Sequence, residues 1–378
     1  MNRTGTQLST ALLGYIVLII LLLTLNPFYL ALPTKIGFTS DSDIKNVISN
    51  IILFVPLGFF YRLSSRERGA VLLGAAISIG IETIQMFMPA RTPSIIDILT
   101  NTLGAGLGAI LYDNLSARIT ITQGVVGRLR LETPLMGLMY LLLPLLWSNT
   151  LNHTSDRWVL TLLIGIVGAI VLSELFRHWW EVFDYRVSLY ASLSVGGWFL
   201  LGTGPTLLQS ISLLLTGLGV MLLTAILTAR PRRSSERRFE QTTLKRMFPV
   251  FILYLILLAF WEPTRPLTGW HWALGFTNQV TETSMQVLSP RIEYLVAFTL
   301  FGYLLAEWRG RSETPLSQDL PRLFLTSVGF ATLLELFVGF QIGPGASLIR
   351  VAMAVLSALF GGMIYHLLRA HILFLLHR

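Results

Sequence analysis

Twelve apolar runs follow one another along this chain, and they limit what it can fold into more than any other feature. They cover 9–29, 46–61, 69–88, 95–112, 134–150, 158–176, 188–202, 206–228, 247–262, 290–307, 320–340 and 348–368. A hydrocarbon layer about 30 Å thick is crossed by about 20 residues of helix. Inside it every backbone N–H and C=O needs a partner from the protein, and a helix supplies all of them within one segment. The runs therefore predict an all-α, polytopic integral membrane protein with about twelve transmembrane helices. Runs 46–61 and 188–202 are short and are expected either to extend into their flanks or to form half-buried helices. The chain is 53% hydrophobic and 13% charged. A soluble domain carries about 25% charged residues, so most of this surface is not built to face water. The run from Ser9 to Leu25 lacks a small-residue cleavage site and reads as a retained helix.

The formal charge of +8 is explained by loop chemistry rather than by nucleic acid. With the N-terminus inside and the runs alternating, 21 of the 28 Lys and Arg fall on the inner side and 6 on the outer, with Arg350 inside a run. Such one-sidedness predicts both termini in the cytoplasm. The basic stretch 230–246 is the one clear polar linker and reads as a solvated loop near anionic lipid. The chain has no cysteine, which excludes disulfides, thiolate metal ligands and cysteine nucleophiles. Its six histidines form no H-x-x-x-H or H-E-x-x-H pattern, and no phosphate-binding glycine loop is present, so neither a metal nor a cofactor is expected.

Two stretches of the chain align without a gap. Residues 82–112 and 335–365 place Glu82 on Glu335, Phe87 on Phe340, Ser94 on Ser347, Ala105 on Ala358, Gly108 on Gly361 and Tyr112 on Tyr365. The preceding runs align as well, LFVPLGFF (53–60) with AFTLFGYL (297–304), Gly58 opposite Gly302. This predicts two four-helix units, 1–115 and 247–378, flanking a four-helix middle block at 131–229 and the linker 230–246. Both copies would have the same orientation in the membrane, a parallel repeat.

A charge at the centre of a membrane helix costs about 2.5–3.5 kcal/mol on insertion scales, so polar residues in these runs need a reason. The first unit collects Asn46 and Asn50 on one face of its second run, Glu82 and Gln85 on one face of its third, Arg91 in a short loop, and Asp97 and Asn101 in its fourth. By the predicted topology all of them lie in the outer half of the membrane. They are candidates for one pocket open to the outside, formed by Asn50, Glu82, Gln85, Arg91, Asp97 and Asn101. The competing structural reading is equally weighted: amides in membrane helices often bond only to neighbouring helices. Gly104 and Gly108 continue the stripe and read as close helix packing, with Gly58. Pro56 reads as a helix kink. In the second unit Arg350 replaces Asp97 and Ala354 replaces Asn101, and Arg350 is expected to pair with Glu335, or with Glu293. That unit reads as mainly structural. Glu174, beside Arg177 and His178, reads as interfacial. Gly202–Pro205 reads as a tight outer turn. Loop 263–289, with Trp270 and Trp272 beside His271, reads as an interfacial segment or, as the functional alternative, a lid.

These residues resemble the VanZ-like membrane family. The resemblance is carried by Asn50-x-x-Leu53-Phe54-x-Pro56-Leu57-Gly58-Phe59, by Ile81-Glu82-x-x-Gln85-x-Phe87, by Arg91, and by Asp97-x-x-x-Asn101-Thr102-x-Gly104-Ala105-x-x-Gly108. It covers about residues 12–112, and the stretch 250–368 resembles the family only weakly. The family is named for a protein linked to reduced sensitivity to the glycopeptide teicoplanin. The resemblance therefore implies a multi-pass protein of the bacterial cytoplasmic membrane that acts on the envelope. Three functions stay open. One is binding or moving a lipid-linked glycan or cell-wall precursor, with membrane lipids as partners. Another is an enzyme acting on an envelope lipid, with Glu82 or Asp97 as acid/base. The third is a scaffold for envelope-polymer machinery.

Overall fold

The computed structural model describes residues 3–25, 37–39, 44–64, 69–88, 92–118, 123–151, 157–179, 185–207, 210–229, 239–261, 269–273, 285–309, 314–340 and 345–376. Among the described residues there are twelve helices: α1 (Arg3–Thr24), α2 (Ile44–Ser64), α3 (Ala70–Gln85), α4 (Ile95–Arg118), α5 (Gln123–Leu151), α6 (Trp158–Trp179), α7 (Tyr185–Leu207), α8 (Ile211–Ala229), α9 (Phe239–Ala259), α10 (Met285–Arg309), α11 (Leu316–Val338) and α12 (Leu348–Leu376). Each apolar run falls on one of them. The two short runs extend at both ends, into α2 and α7. Seven helices, α2, α4, α6, α8, α9, α11 and α12, are long and apolar enough to cross a membrane by length and composition.

What these helices expose fits hydrocarbon rather than water. Along α8, Ile211 is 77% exposed, and Leu215, Leu218 and Leu222 are exposed as well. A soluble protein rarely leaves so long an apolar stripe uncovered. The opposite face of α8 buries Thr216, Thr224 and Thr228, whose hydroxyls donate to the carbonyls of Ser212, Val220 and Thr224 one turn back. That local bond satisfies a hydroxyl without water. The chain is an all-α, multi-pass membrane protein.

Gly202–Pro205 is not a turn: α7 continues to Leu207. Thr203 donates to Phe199 O at 2.8 Å, and Gly202 packs against Leu146 of α5. Glycine and proline are poor helix formers, but propensity is a weak prior that tertiary packing overrides.

The chain divides into two compact units. The first is Met1–Arg128 with Thr283–Leu288 and Leu367–Arg378; the second is Leu129–Glu282 with Ser289–His366. In the first, α4 lies directly on α2. A Cβ at Gly58 would collide with the carbonyl of Ala105, one at Gly104 with Ile51, and one at Gly108 with the carbonyl of Val55. Small residues at these points let the two backbones touch, and α2 continues past Pro56 as one helix. In the second unit the indole of Trp198 donates to Met139 O at 3.0 Å and packs under Gly168. Phe301 stacks on Phe330 with centroids 4.9 Å apart, and Tyr303 donates to Pro134 O at 2.7 Å.

Candidate functional site

The first unit's polar residues gather where α3 ends and α4 begins. Both helix ends leave orphan backbone groups. Glu82, in the last turn of α3, is 2% exposed, and its Oε2 accepts the backbone N–H of Ser94 at 2.8 Å. A carboxylate next to a helix N-terminus also lies in the favourable end of the helix dipole. An extended segment, 37–39, runs past the same connection. Thr39 N–H donates to Pro93 O (2.8 Å) and Ile95 N–H donates to Thr39 O (3.1 Å), giving a parallel bridge between Thr39 and Ser94. Gln85, one turn past Glu82, donates from Nε2 to Thr24 O at 2.9 Å, closing an orphan carbonyl at the end of α1. Asn101 on α4 donates from Nδ2 to Ser78 Oγ of α3 at 2.9 Å.

Three of the six candidate pocket residues are thus tied into the helix framework. Asp97 is half-buried in the first turn of α4, and Asn50 is half-buried on α2. Arg91 lies outside the described residues. Asn46 is exposed. Two polar atoms next to the framework are unspent: Ser94 Oγ and Asn101 Oδ1 are buried without a hydrogen-bond partner among the described residues. Ser94 lies immediately ahead of α4, and Asp97 and Asn101 follow one turn apart on one side of it.

The second unit shows the same contacts on different side chains. Glu335, in the last turn of α11, accepts the backbone N–H of Ser347 at 2.8 Å. Strand β1 (Trp272–Ala273) pairs in parallel with β2 (Ala346–Ser347), Ala273 opposite Ser347. His271 N–H donates to Gly339 O at 2.8 Å, and Ala346 N–H to His271 O at 2.9 Å. Gly339 lies against the indole of Trp270, and Gly345 takes a φ of 64° that favours glycine. Trp272 is 61% exposed, and at the corresponding position of the first unit Phe38 is 42% exposed. Gly302 meets the carbonyl of Ala358 and Gly361 that of Thr299, as Gly58 and Gly108 meet Ala105 and Val55. Tyr303 and Tyr365 cross edge-on at 5.4 Å, as Phe59 and Tyr112 do at 5.5 Å. Arg350 forks Glu335, Nε to Oε1 at 2.8 Å and Nη2 to Oε2 at 2.7 Å, and also donates to Gly345 O.

Glu293 is not a partner of Arg350. Fully buried on α10, it accepts from Arg157 Nη1 at 2.5 Å and from the Tyr254 hydroxyl at 2.8 Å. Arg157 is 9% exposed just ahead of α6. The one sequence signal for this group is an ionisable residue inside an apolar run. Glu174 on α6 accepts from both Arg177 (2.8 Å) and Arg246 of α9 (2.7 Å). Asp319 on α11 meets Arg322 at 3.3 Å and His366 of α12 at 3.1 Å.

Comparison with known proteins bears on the first unit. Residues 15–116 match the VanZ/LLP1 family model. Over 78 residues the chain is 32% identical to Protein VanZ of Enterococcus faecium, an alignment covering 20% of this chain and 48% of that protein. The chain thus spans about half the length of the curated relative it matches. No solved structure matches it. Glu82, its Ser94 contact, Gln85, Asp97, Asn101 and the three tight glycines all fall inside the interval of this multi-pass membrane protein that matches the VanZ/LLP1 family model.

Proposed function

We propose that the chain binds the head group of an envelope lipid or lipid-linked glycan at the α3–α4 end of its first unit, helps it between leaflets, and so alters sensitivity to glycopeptides. The setting is the cytoplasmic membrane of a bacterium, with both termini inside and this site in the outer half. The observation that carries the reading is the pair Ser94 Oγ and Asn101 Oδ1, buried without a partner among the described residues, at the start of α4 where the half-buried Asp97 also lies. A buried polar atom without a partner costs about 1–3 kcal/mol. Two acceptor oxygens and a carboxylate suit a group rich in donors, such as the hydroxyls and amines of a sugar. Glu82 acts as a positioning residue, because its carboxylate holds the Ser94 backbone in place. The matched contacts at Glu82 and Glu335, and at Gly58 and Gly302, support the reading of α2–α4 and α10–α12 as two copies of one unit.

One experiment tests this. A deletion strain is complemented with wild type, Asn101→Ala and Asp97→Asn, scoring membrane protein level and teicoplanin sensitivity together. Normal protein level with lost phenotype is the expected result. Normal level with full phenotype in both variants sinks the proposal. It would move the scaffold reading ahead, which the bonds from Gln85 to Thr24 and from Asn101 to Ser78 favour.

A further inference from the structure

One buried acid of the second unit has no task in anything above. Glu307, in the last turn of α10, is 7% exposed. Both of its carboxyl oxygens are buried without a hydrogen-bond partner among the described residues. The other four buried acids are all answered. Glu82 accepts from Ser94 N–H, Glu293 from Arg157 and Tyr254, Glu335 from Ser347 N–H and Arg350, and Asp319 meets Arg322 and His366.

The side chains around Glu307 bring no counter-charge. Tyr303 lies one turn back on the same face of α10, and its hydroxyl is already donated to Pro134 O of α5 at 2.7 Å. Tyr365 of α12 crosses the Tyr303 ring edge-on at 5.4 Å. The next residue of α12, His366, is held by Asp319 at 3.1 Å, as is Arg322 of α11 at 3.3 Å. On α9, Phe248 covers the neighbouring Trp308 with centroids 5.3 Å apart, and Arg246 is engaged by Glu174. A metal ion would ask for several ligands around one point, and no such group occurs among the described residues. A lone carboxylate out of water is strongly disfavoured, and such a group neutralises by taking a proton.

The frame itself does not require an acid here. Gly302 meets the carbonyl of Ala358 as Gly58 meets that of Ala105, which fixes the register of α10 on α2. In that register the first unit carries Leu63 where the second carries Glu307. A position that leucine fills in one copy holds, in the other, a group whose distinctive chemistry is a reversible proton. We propose that Glu307 is a proton-binding site of the second unit, taking up and releasing a proton at the end of α10 that carries Arg309. The step is a plain dissociation: the carboxyl O–H bond breaks, its electron pair stays on the carboxylate, and the proton passes to water. This site stands independently of the head-group site in the first unit.

Full-length protein in nanodiscs is titrated with alkali and followed in the infrared through the C=O stretch of a protonated carboxyl. An exposed glutamate loses its proton at about pH 4.3, so a signal that survives to neutral pH marks a protected acid. Wild type is expected to keep such a band at neutral pH and to lose it reversibly as the pH rises. Glu307→Gln and Glu307→Leu should lack it, whereas Asp113→Asn, at a residue 53% exposed, should keep it. A hydrophobic carbodiimide, which adds to protonated carboxyls, should label wild type at Glu307 by peptide mass spectrometry, a readout that needs no variant to fold. Three results overturn the proposal. They are a neutral-pH band equally strong in wild type and both Glu307 variants, a band that outlasts the folded protein in alkali, and carbodiimide labelling that spares Glu307.

Discussion

Glu293 shows what a single buried charge requires in this chain. Its two oxygens are met by the guanidinium of Arg157, just ahead of α6, and the phenol of Tyr254 on α9, and all three side chains are buried. Removing one partner of a buried pair costs about 3–5 kcal/mol, because the survivor is left charged in a poor solvent. Arg157→Gln should therefore lower the melting temperature of the detergent-solubilised protein sharply. Arg157→Met combined with Glu293→Met should recover most of that loss, since the pair against apolar isosteres is close to neutral. Asn101→Ala should behave differently. It loses one bond to Ser78 worth about 0.5–1.5 kcal/mol but also removes an unsatisfied oxygen, so its net effect on melting should be small. The sequence shows that Glu82, Asp97, Asn101, Glu293 and Arg350 need partners, since each interrupts an apolar run. It cannot show which ones. Arg157 and Glu293 lie 136 positions apart, and no local pattern links them. Gln85 similarly finds a backbone carbonyl at the end of α1, which leaves no mark in a sequence.

Helices were legible as elements because hydrocarbon demands a long apolar helix, and the twelve runs fall one on each of the twelve described helices, although α5 and α9 begin well before their runs, at Gln123 and Phe239. The exception, Gly202–Pro205, follows from reading glycine and proline as breakers where α5 supplies a surface to pack on. The small parallel pairings, Thr39 with Ser94 and β1 with β2, were not legible. Pairs of two residues or fewer carry no periodicity. Substituting Gly108→Leu should separate α2 from α4, because its first side-chain atom already meets the backbone of Val55. Overpacking costs about 1–3 kcal/mol or more, read as reduced folded yield. Gly80→Ala, where nothing lies within 4 Å, is the control and should be silent. Gly339→Val should dislodge the Trp270 indole from Leu336 O and shift tryptophan emission, most clearly in a variant keeping few other tryptophans.

For the molecule as a whole, the absence of cysteine makes its topology directly measurable. Single Ser234→Cys and Thr268→Cys variants, treated with a membrane-impermeant maleimide, should label oppositely. The first should react only in permeabilised cells and the second in intact ones. Labelling of both in intact cells would refute the predicted orientation. The charge asymmetry of the loops was readable because insertion itself reads it. The division into compact units was not, because α9–α12 up to His366 pack in one unit with α5–α8, and which helices share a core is decided by side-chain shape rather than hydropathy.

The contact of α2 with α4 has a mechanical meaning. Where glycine meets a carbonyl, no flexible side chain separates the two helices, so there is little to compress or shear. The pair should tilt as one stiff plate when the bilayer thins or is stretched. Any give in the first unit would then have to come from the short α3 and from the bond that Gln85 makes to α1. Bilayer thickness, set by lipid chain length, would in that case act on the α3–α4 connection as a load on a hinge.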